Sequence, residues 1–283
     1  MTDEKNEKTG TLYLVSTPIG NLKDITFRAV ETLKSVSIIA AEDTRHTRKL
    51  LTHYMIKNRL LSYHDHNKAG SAPEIVKALQ AGKDVALVTD AGTPGISDPG
   101  YYLVSMALKN GIKVTACPGP CAAIMALSIS GLSTDSFTFF GFVPAKGSKR
   151  KNLLKSLANE NRSMVFYESS SRVEGLLQDV LTALGDRYVV VTRELTKIFE
   201  EAIRGDISDL LSSGRLSKLK GELAVIISKG LEKKISIEDV KDEALTLLRS
   251  GESVKTVSKQ ISEQYGISKK EVYSYCLAVS EEA

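Results

Sequence analysis

Several acidic side chains and one histidine lie just after apolar runs that have the length and composition of β-strands. The carboxyl ends of parallel strands meet at one edge of a sheet, where ligand sites form. A carboxylate or an imidazole within hydrogen-bond reach of a hydroxyl group can remove its proton. Each of these groups can instead be a helix cap or a surface ion-pair partner, and a lone histidine is more often structural. The candidates for acid–base chemistry are Glu42, Asp43, His64, Asp98 and Glu168.

Three loops rich in glycine and proline also follow predicted strands, at residues 16–22, 90–100 and 118–123. Glycine and proline together specify a rigid backbone path that allows close approach of a ligand. In the second loop, Asp98 and Pro99 match an N-cap residue followed by proline at the first helical position. A single loop of this kind is explained equally well by a tight turn. Three of them at one sheet edge indicate that they line one cleft.

The first half of the chain alternates short β-branched runs with helical patterns, which predicts a parallel sheet covered by helices. Ser71 and Glu74 form a capping box that includes Pro73, so we expect a helix to begin there and to end at Gly82. The strand patterns lie at residues 12–15, 36–40, 59–63, 85–88 and 112–115.

A second alternating block follows a polar junction, and a purely helical end follows that block. Three helical faces after residue 229 predict a small helical appendage. The predicted fold class is therefore α/β, with two α/β domains and this appendage. We expect a disordered tail at 1–10, an N-terminal α/β domain at 11–133 that carries the cleft loops, a C-terminal α/β domain at 134–230 and the appendage at 231–283.

The composition excludes several classes of protein. The chain has 283 residues, long enough for two cores, and only three Cys, too few for a disulfide framework. The spacing of these Cys does not match a zinc site, so we expect no metal. The polar first ten residues resemble neither a signal peptide nor an anchor, which predicts a cytoplasmic protein. Neither a GxxxxGK[ST] nor a GxGxxG motif follows a strand, which argues against an NTPase and an ordinary dinucleotide site.

Basic residues concentrate in two places, although the formal net charge is only +4. Clusters of this kind attract phosphate backbones. On charge alone, a solvated helix face explains them equally well. One cluster comprises Lys146, Lys149, Arg150, Lys151 and Lys155, and the other comprises Arg215, Lys218 and Lys220.

Eight segments, in matching order from about residue 10 onward, resemble the ribosomal RNA small subunit methyltransferase I family of the tetrapyrrole-methylase superfamily. Ser16 is a departure, since many members have proline there. The segments are STPIGNLKDIT from Ser16, AAEDTRHTRKLL from Ala40, HDHN from His64, DAGTPGISDPG from Asp90, PGPCAAIMALSISGL from Pro118, GFVPAKG from Gly141, FYES from Phe166 and RELTK from Arg193.

This resemblance implies two α/β domains of the tetrapyrrole-methylase type, S-adenosylmethionine (AdoMet) in the cleft between them, and a homodimer. It also implies 2′-O-methylation of the ribose of a decoding-centre cytidine (position 1402 in standard rRNA numbering) of 16S rRNA in the small ribosomal subunit. By their positions in the motifs, the implied AdoMet contacts are Pro18, Ile19, Asp90, Gly92, Thr93, Pro120, Cys121, Ala122 and Tyr167, with Leu195 and Glu222 from shorter motifs.

A ribose hydroxyl is a poor nucleophile near neutral pH, so methyl transfer to it benefits from a general base, and positioning provides the rest. The five acid–base candidates named above remain unranked for this role. The C-terminal helices could add a further RNA or ribosome contact. The residues expected to hold rRNA phosphates are Arg45, Arg48, Lys146, Lys149 and Arg150.

Two other functions remain open on the sequence. The cleft could serve an AdoMet-dependent methylase of a small tetrapyrrole or of a protein side chain. The chain could also be a non-catalytic RNA-binding assembly factor that retains the fold without binding AdoMet. The basic cluster and the C-terminal helices favour an RNA substrate, because a small acceptor requires neither.

Overall fold

A computed structural model describes residues 9–230 and 237–281 of the chain. Most of the predicted disordered tail and residues 231–236 of the predicted appendage therefore lie outside the described residues. One compact unit reaches Lys229 and contains both α/β halves, and a second unit begins at Gly230. No helix in the described part of the chain is long and apolar enough to cross a bilayer.

The first sheet contains five parallel strands in the order β3-β2-β4-β1-β5. Helices cover both faces, and each face has its own apolar core. Strands buried on both faces are expected for a parallel sheet, and every residue of β2 and β4 is buried. The strands are β1 (Thr11–Val15), β2 (Ile38–Ala41), β3 (Leu60–Ser62), β4 (Val85–Val88) and β5 (Lys113–Cys117). The helices are α1 (Phe27–Ser35), α2 (Thr44–His53), α3 (Lys68–Gln80) and α4 (Tyr101–Lys109).

The second sheet is mixed, with the order β6-β7-β10-β8-β9. Only β6 and β7 pair in parallel, whereas the other neighbours are antiparallel. The strands are β6 (Phe137–Phe142), β7 (Ser163–Ser169), β8 (Tyr188–Arg193), β9 (Glu201–Asp206) and β10 (Glu222–Ile227). The helices near it in sequence are α5 (Ala122–Ser130), α6 (Ser148–Ser156), α7 (Val173–Leu184) and α8 (Ile207–Ser212).

Helix α5 packs on the second sheet, although it directly follows the last strand of the first. Ala123, Ala126 and Leu127 pack against Val165 and Ala224 of the second sheet, together with other buried residues. The predicted domain boundary after residue 133 follows α5 in the chain, and it stays a prediction. By its contacts, however, α5 covers the second sheet, so the chain crosses between the halves just before this helix.

The described residues of the second unit, 237–281, are helical, and together with the two α/β sheets they confirm the predicted fold class. Its three described helices enclose a small core that includes Val240, Val257 and Cys276. They are α9 (Ile237–Arg249), α10 (Val254–Tyr265) and α11 (Lys269–Glu281).

Helix α4 begins two residues later than predicted. Gly100, not Asp98, occupies the N-cap position, and the helix starts at Tyr101. Gly100 has no side chain to accept a first-turn amide, and the hydroxyl of the fully buried Tyr63 accepts the amide of Leu103 instead, at 3.1 Å. The capping interpretation of Asp98 was therefore wrong, and its carboxylate is available for another role.

Helix α3 begins earlier than predicted, at Lys68, so Pro73 lies inside the helix and not in its first turn. The preceding turn explains this, because Asn67 Oδ1 accepts the amide of His64 at 2.8 Å. The amide of Lys68 then donates to the carbonyl of His64 at 2.9 Å. This turn begins the helix before the capping-box residue Ser71 is reached.

Arg150 does not have the placement expected of an RNA contact, because it packs between α6 and α7. Its guanidinium pairs with Asp179, with 2.7 Å between Nε and Oδ2, and donates to the carbonyls of Ala145 at 2.8 Å and Gly175 at 3.1 Å. The residue is only 7% exposed. All three nitrogens of the guanidinium are engaged within the protein, so we correct its assignment from phosphate binding to packing.

Replacing Arg150 should therefore affect stability and not RNA affinity. We expect Arg150→Ala to lower the free energy of unfolding by about 3 to 5 kcal/mol, since it leaves Asp179 and two carbonyls without their partner. Its exposed neighbour Lys149 is the matched control, and Lys149→Ala should change stability by less than about 0.5 kcal/mol. Chemical denaturation measures both. An Arg150→Ala protein of unchanged stability that binds RNA more weakly would restore the original assignment.

Candidate active site

A cleft of about 240 Å³ lies between the two sheets of the first unit. This volume is near the lower end of the range for small-molecule sites. Both sheets and the start of α5 contribute to its wall. The lining residues are Ile19, Glu42, Asp90, Ala91, Gly92, Thr93, Ile96, Ser97, Asp98, Cys121, Ala122, Phe142, Tyr167, Thr192, Glu194, Leu195, Lys197, Glu222, Leu223 and Ala224.

The three glycine- and proline-rich loops meet in this cleft, as predicted. Thr17 and Gly92 exchange backbone hydrogen bonds of 2.9 and 3.0 Å. The hydroxyl of Thr93 contacts the hydroxyl of Ser16 at 3.0 Å and donates to the carbonyl of Pro120 at 3.1 Å. These bonds join the loops that follow β1, β4 and β5 into one rigid wall.

Nine of the residues predicted to contact a cofactor line this cleft, and the other two, Pro18 and Pro120, lie beside it in the same loops. Tyr167 contributes a hydrogen bond to the wall, because its hydroxyl accepts the amide of Ala123 at 3.0 Å. Cys121, the N-cap residue of α5, makes no side-chain capping bond. The amino-terminal end of α5 thus faces the cleft, where the Tyr167 hydroxyl and not the N-cap side chain accepts one of its first amides.

Five carboxylates line the cleft: Glu42, Asp90, Asp98, Glu194 and Glu222. Two of them belong to one backbone network, in which the amide of Asp90 donates to Glu42 Oε2 at 3.4 Å and the amide of Asp43 donates to Asp90 Oδ1 at 3.1 Å. Burial raises the pKa of Glu42 above its ordinary value, and repulsion from Asp90 adds to this effect.

Asp98 is the most strongly perturbed of these carboxylates. Burial, then repulsion from Glu42 and from Asp90 and Glu222, raises its pKa to about 7, although a hydrogen bond from the Thr89 hydroxyl opposes the change. A group with a pKa near the working pH can both accept and release a proton. Of the five acid–base candidates, Asp98 has the environment best suited to a general base.

The loop that carries Asp98 contacts the second sheet through Ser97. A Cβ atom at Gly141 would lie 2.6 Å from Oγ of Ser97, so only glycine permits this approach. Gly141 also has a φ angle of 63° and follows an irregularity in the pairing of β6 with β7. Asp98 is therefore held where the two halves meet.

The other acid–base candidates differ from Asp98 in their surroundings, and of these only Glu42 lines the cleft. Asp43 caps α2, accepting the amide of Arg45 at 2.7 Å, and hydrogen bonds from Arg45 hold its pKa well below the ordinary range. The Nδ1 atom of His64 is buried and has no hydrogen-bond partner among the described residues. Asp43 is thus a weak base, and His64 is outside the cleft wall.

Glu168 is fully buried, and one of its oxygens accepts the Ser169 amide at 2.8 Å and the Arg172 guanidinium at 2.6 Å. It lies opposite Leu223 in the pairing of β7 with β10. It does not line the cleft, so its expected role as a base is corrected to that of an ion-paired structural residue.

The four exposed residues among those expected to bind phosphate lie on two surfaces. Arg45 and Arg48 share an exposed face of α2 with Lys49, and these three line a shallow groove with Thr52. Lys49 was missed by the sequence analysis, although its spacing from Arg45 places both on one helical face. Lys146 and Lys149 are exposed in the segment that follows Phe142, a cleft residue.

The loop between β8 and β9 contributes cleft residues that the sequence analysis did not assign, notably Glu194 and Lys197. The Lys197 ammonium pairs with Glu194 Oε1 at 3.0 Å. A Cβ atom at Gly20 would lie 2.5 Å from Cγ of Lys197, so this loop reaches the first half of the cleft. The RELTK segment was a signal for this loop, but nothing in it indicated which side chains face inward.

No group of three or more His, Cys, Asp or Glu side chains in the described ranges is arranged to hold a metal ion.

Comparison with known proteins relates the whole chain to methyltransferases. The family described as Tetrapyrrole (Corrin/Porphyrin) Methylases matches residues 11–211. Ribosomal RNA small subunit methyltransferase I from Halalkalibacterium halodurans is 43% identical over 278 residues, covering 96% of each chain. The protein of the same name from Escherichia coli O157:H7 is 44% identical over 274 residues, covering 95% of each chain.

Solved structures support the fold assignment. A uroporphyrin-III-C-methyltransferase from Thermus thermophilus superposes with a TM-score of 0.55 at 18% identity, covering 78% of this chain and 94% of that chain. A diphthine synthase superposes with a TM-score of 0.59 at 12% identity, covering 77% and 89% of the two chains. The match over residues 11–211 and the extensive identity to these relatives lead to one conclusion: the chain belongs to the tetrapyrrole (corrin/porphyrin) methylase family.

Proposed function

We propose that this protein is an AdoMet-dependent methyltransferase that methylates the ribose 2′-hydroxyl of a decoding-centre cytidine in 16S rRNA of the small ribosomal subunit. The observation that carries the proposal is the near full-length identity of 43–44% to relatives named ribosomal RNA small subunit methyltransferase I. The cleft supports it, because it contains a carboxylate of raised pKa, and the basic surfaces lie on segments that follow the cleft residues Glu42 and Phe142 in the chain. A homodimer and a cytoplasmic location belong to the same proposal and stay predictions.

The residues of the cleft fit AdoMet by their chemistry. Its ammonium and sulfonium charges and its ribose hydroxyls suit carboxylates, and the cleft presents Asp90 and Glu222 on opposite sheets. Its carboxylate suits the start of α5, because a helix amino terminus attracts anions. Ile19 and Leu195 offer apolar surface for the adenine. The predicted AdoMet contacts thus remain our proposal, with Pro18 and Pro120 acting through the backbone of their loops.

When bound, AdoMet supplies an electrophilic methyl group attached to a sulfonium. The protein has to place the acceptor hydroxyl in line with that group, exclude water and remove the hydroxyl proton. Hydrogen bonds made by Thr17, Gly92 and Thr93 hold one wall of the cleft in a fixed position. Asp98 accepts the proton at a carboxylate oxygen, and Glu42 raises the proton affinity of Asp98 by repulsion.

The RNA substrate would approach over the basic surfaces beside the cleft. Arg45, Arg48 and Lys49 form one positive face on α2, and α2 begins two residues after Glu42. Lys146 and Lys149 form a second, at the beginning of α6. Contacts of this kind position a phosphate backbone without reading its sequence. They suit an extended polyanion better than a small tetrapyrrole.

The direct test is methyl transfer to purified small ribosomal subunits that lack the modification. We expect labelled methyl from AdoMet to enter 16S rRNA at one cytidine and to make that position resistant to alkaline cleavage, because cleavage requires a free 2′-hydroxyl. Tetrapyrrole precursors under the same conditions serve as the control acceptor. A folded protein that binds AdoMet but labels tetrapyrroles and not rRNA would select the alternative methylase. Failure to bind AdoMet would select the non-catalytic assembly factor.

The assignment of Asp98 predicts a pH dependence of the reaction. With a pKa of about 7, Asp98 is mostly protonated at lower pH and cannot accept a proton. We therefore expect kcat/KM to rise by about ten-fold per pH unit below this value and to level off above it. Asp98→Asn should lower kcat by about 100-fold or more and abolish this pH limb, while AdoMet affinity changes little. Steady-state kinetics between pH 5.5 and 9 and calorimetry measure both effects. A wild-type profile without this limb contradicts the assignment.

The basic surfaces predict a salt dependence. Each phosphate contact with single-stranded RNA contributes about 0.7 to the slope of log K against log salt. Arg48→Ala combined with Lys149→Ala should reduce this slope by about 1.4 and leave AdoMet affinity intact. Lys113→Ala is the matched control, because Lys113 is exposed at the beginning of β5, at the sheet edge opposite the cleft. An unchanged slope in the double variant would mean that RNA binds elsewhere.

A further inference from the structure

The loop between β8 and β9 exposes two large apolar side chains to water. Ile198 is 95% exposed and Phe199 is 72% exposed, and they are adjacent in the chain. Single exposed apolar residues are common on protein surfaces, but adjacent ones beside a ligand site are a feature of binding surfaces. Neither residue has a part in the chemistry described above, so their exposure needs a separate explanation.

The loop is held in one conformation by its own contacts. The amide of Lys197 donates to the carbonyl of Glu194 at 3.0 Å, and the amide of Glu200 donates to the carbonyl of Lys197 at 3.1 Å. The carboxylate of Glu200 also accepts the amide of Thr196 at 2.5 Å. Glu194 and Thr196 have φ angles of 51° and 69°, which non-glycine residues rarely adopt. Such conformations persist only where the surroundings fix them, and they cluster at ligand sites.

The tip of this loop directly follows residues of the cleft wall. Glu194, Leu195 and Lys197 line the cleft wall. Consecutive Cα atoms are about 3.8 Å apart, so the Cα atom of Phe199 lies within about 7.6 Å of that of Lys197. Phe142, which also lines the cleft, is 52% exposed. Exposed aromatic side chains therefore lie in the wall of this acidic cleft, at Phe142, and within two residues of the wall, at Phe199; we call these two side chains the rim.

A nucleobase is the ligand that matches this rim. Every base has an apolar π-face that stacks on an aromatic side chain, and its attached ribose and phosphate require the polar and basic groups present nearby. The basic face of α2, formed by Arg45, Arg48 and Lys49, would hold the backbone of the same strand. The acidic interior excludes the phosphates, so the bases and not the backbone meet the rim.

We propose that Phe199, supported by Ile198, stacks on a nucleobase of the RNA substrate beside the cleft and so holds the acceptor nucleotide out of its own stack. This proposal rests on the proposed function, since it concerns the same substrate. It makes Phe199 a positioning residue, which presents the ribose to Asp98 and does not itself touch the reacting atoms.

The absence of tryptophan from the chain provides a direct test. In the full-length Phe199→Trp variant the indole is the only one in the protein, and we expect RNA containing the target site to quench its fluorescence by stacking. Phe199→Trp should retain activity, whereas Phe199→Ala should lower kcat/KM for small subunits by about five-fold or more, the least expected for loss of one base stack. AdoMet affinity should stay the same in both.

Phe137→Ala is the matched control, because Phe137 is an exposed phenylalanine at the start of β6, the end of the strand remote from Phe142. It should leave RNA affinity unchanged.

Unquenched fluorescence in Phe199→Trp, or full activity in Phe199→Ala, would overturn the proposal. A third outcome would also overturn it: Phe199→Ala changes the oligomeric state in sedimentation, and RNA leaves the indole fluorescence of Phe199→Trp unchanged. The tip would then be an interface between copies of the chain. If the wild-type protein binds RNA but does not methylate it, quenching still tests the stacking contact, and only the proposed reaction fails.

Discussion

Burial of several carboxylates beside one another in the cleft, with the repulsion between them, is the constraint on which the rest of the site depends. Glu42, Asp90, Asp98 and Glu222 come from both sheets and face the same space. Removing them from water and placing them near one another costs free energy, which is expressed as raised proton affinity at Glu42 and Asp98. A bound cation relieves this cost. The same crowding thus favours a positively charged cofactor and keeps one carboxylate able to take up a proton near neutral pH.

Neither half of the α/β unit could form this cleft alone. The first sheet supplies the wall of three joined loops, and the second supplies Tyr167, the loop after β8 and the start of β10. Helix α5 follows the first sheet in the chain but packs on the second, so its amino terminus lies between them. Two glycines allow the halves to approach closely: Ser97 contacts Gly141, and Lys197 contacts Gly20. These contacts set the separation of the halves.

The sequence correctly predicted those strands and loops whose residue types directly reflect their burial or their backbone conformation in the fold. The buried strands of the first sheet consist of β-branched and apolar runs, and the glycine–proline loops have few conformations available. The prediction did not include β9 (Glu201–Asp206), because an edge strand needs only one partner and can be polar. The N-cap interpretation of Asp98 and the RNA-contact assignment of Arg150 were wrong for a related reason. A carboxylate beside proline matches a helix cap, and an arginine among lysines matches an RNA surface, until tertiary contacts are known. Residue type alone did not separate Glu168 from the carboxylates of the cleft.

The contact between Ser97 and Gly141 has a thermodynamic consequence. Because it holds the Asp98 loop against the second sheet, any movement that separates the halves also hydrates Asp98. Hydration lowers the proton affinity of the carboxylate, so opening of the cleft releases a proton and closure takes one up. Any such movement is therefore linked to pH, and alkaline conditions would favour the separated form even before any substrate is present.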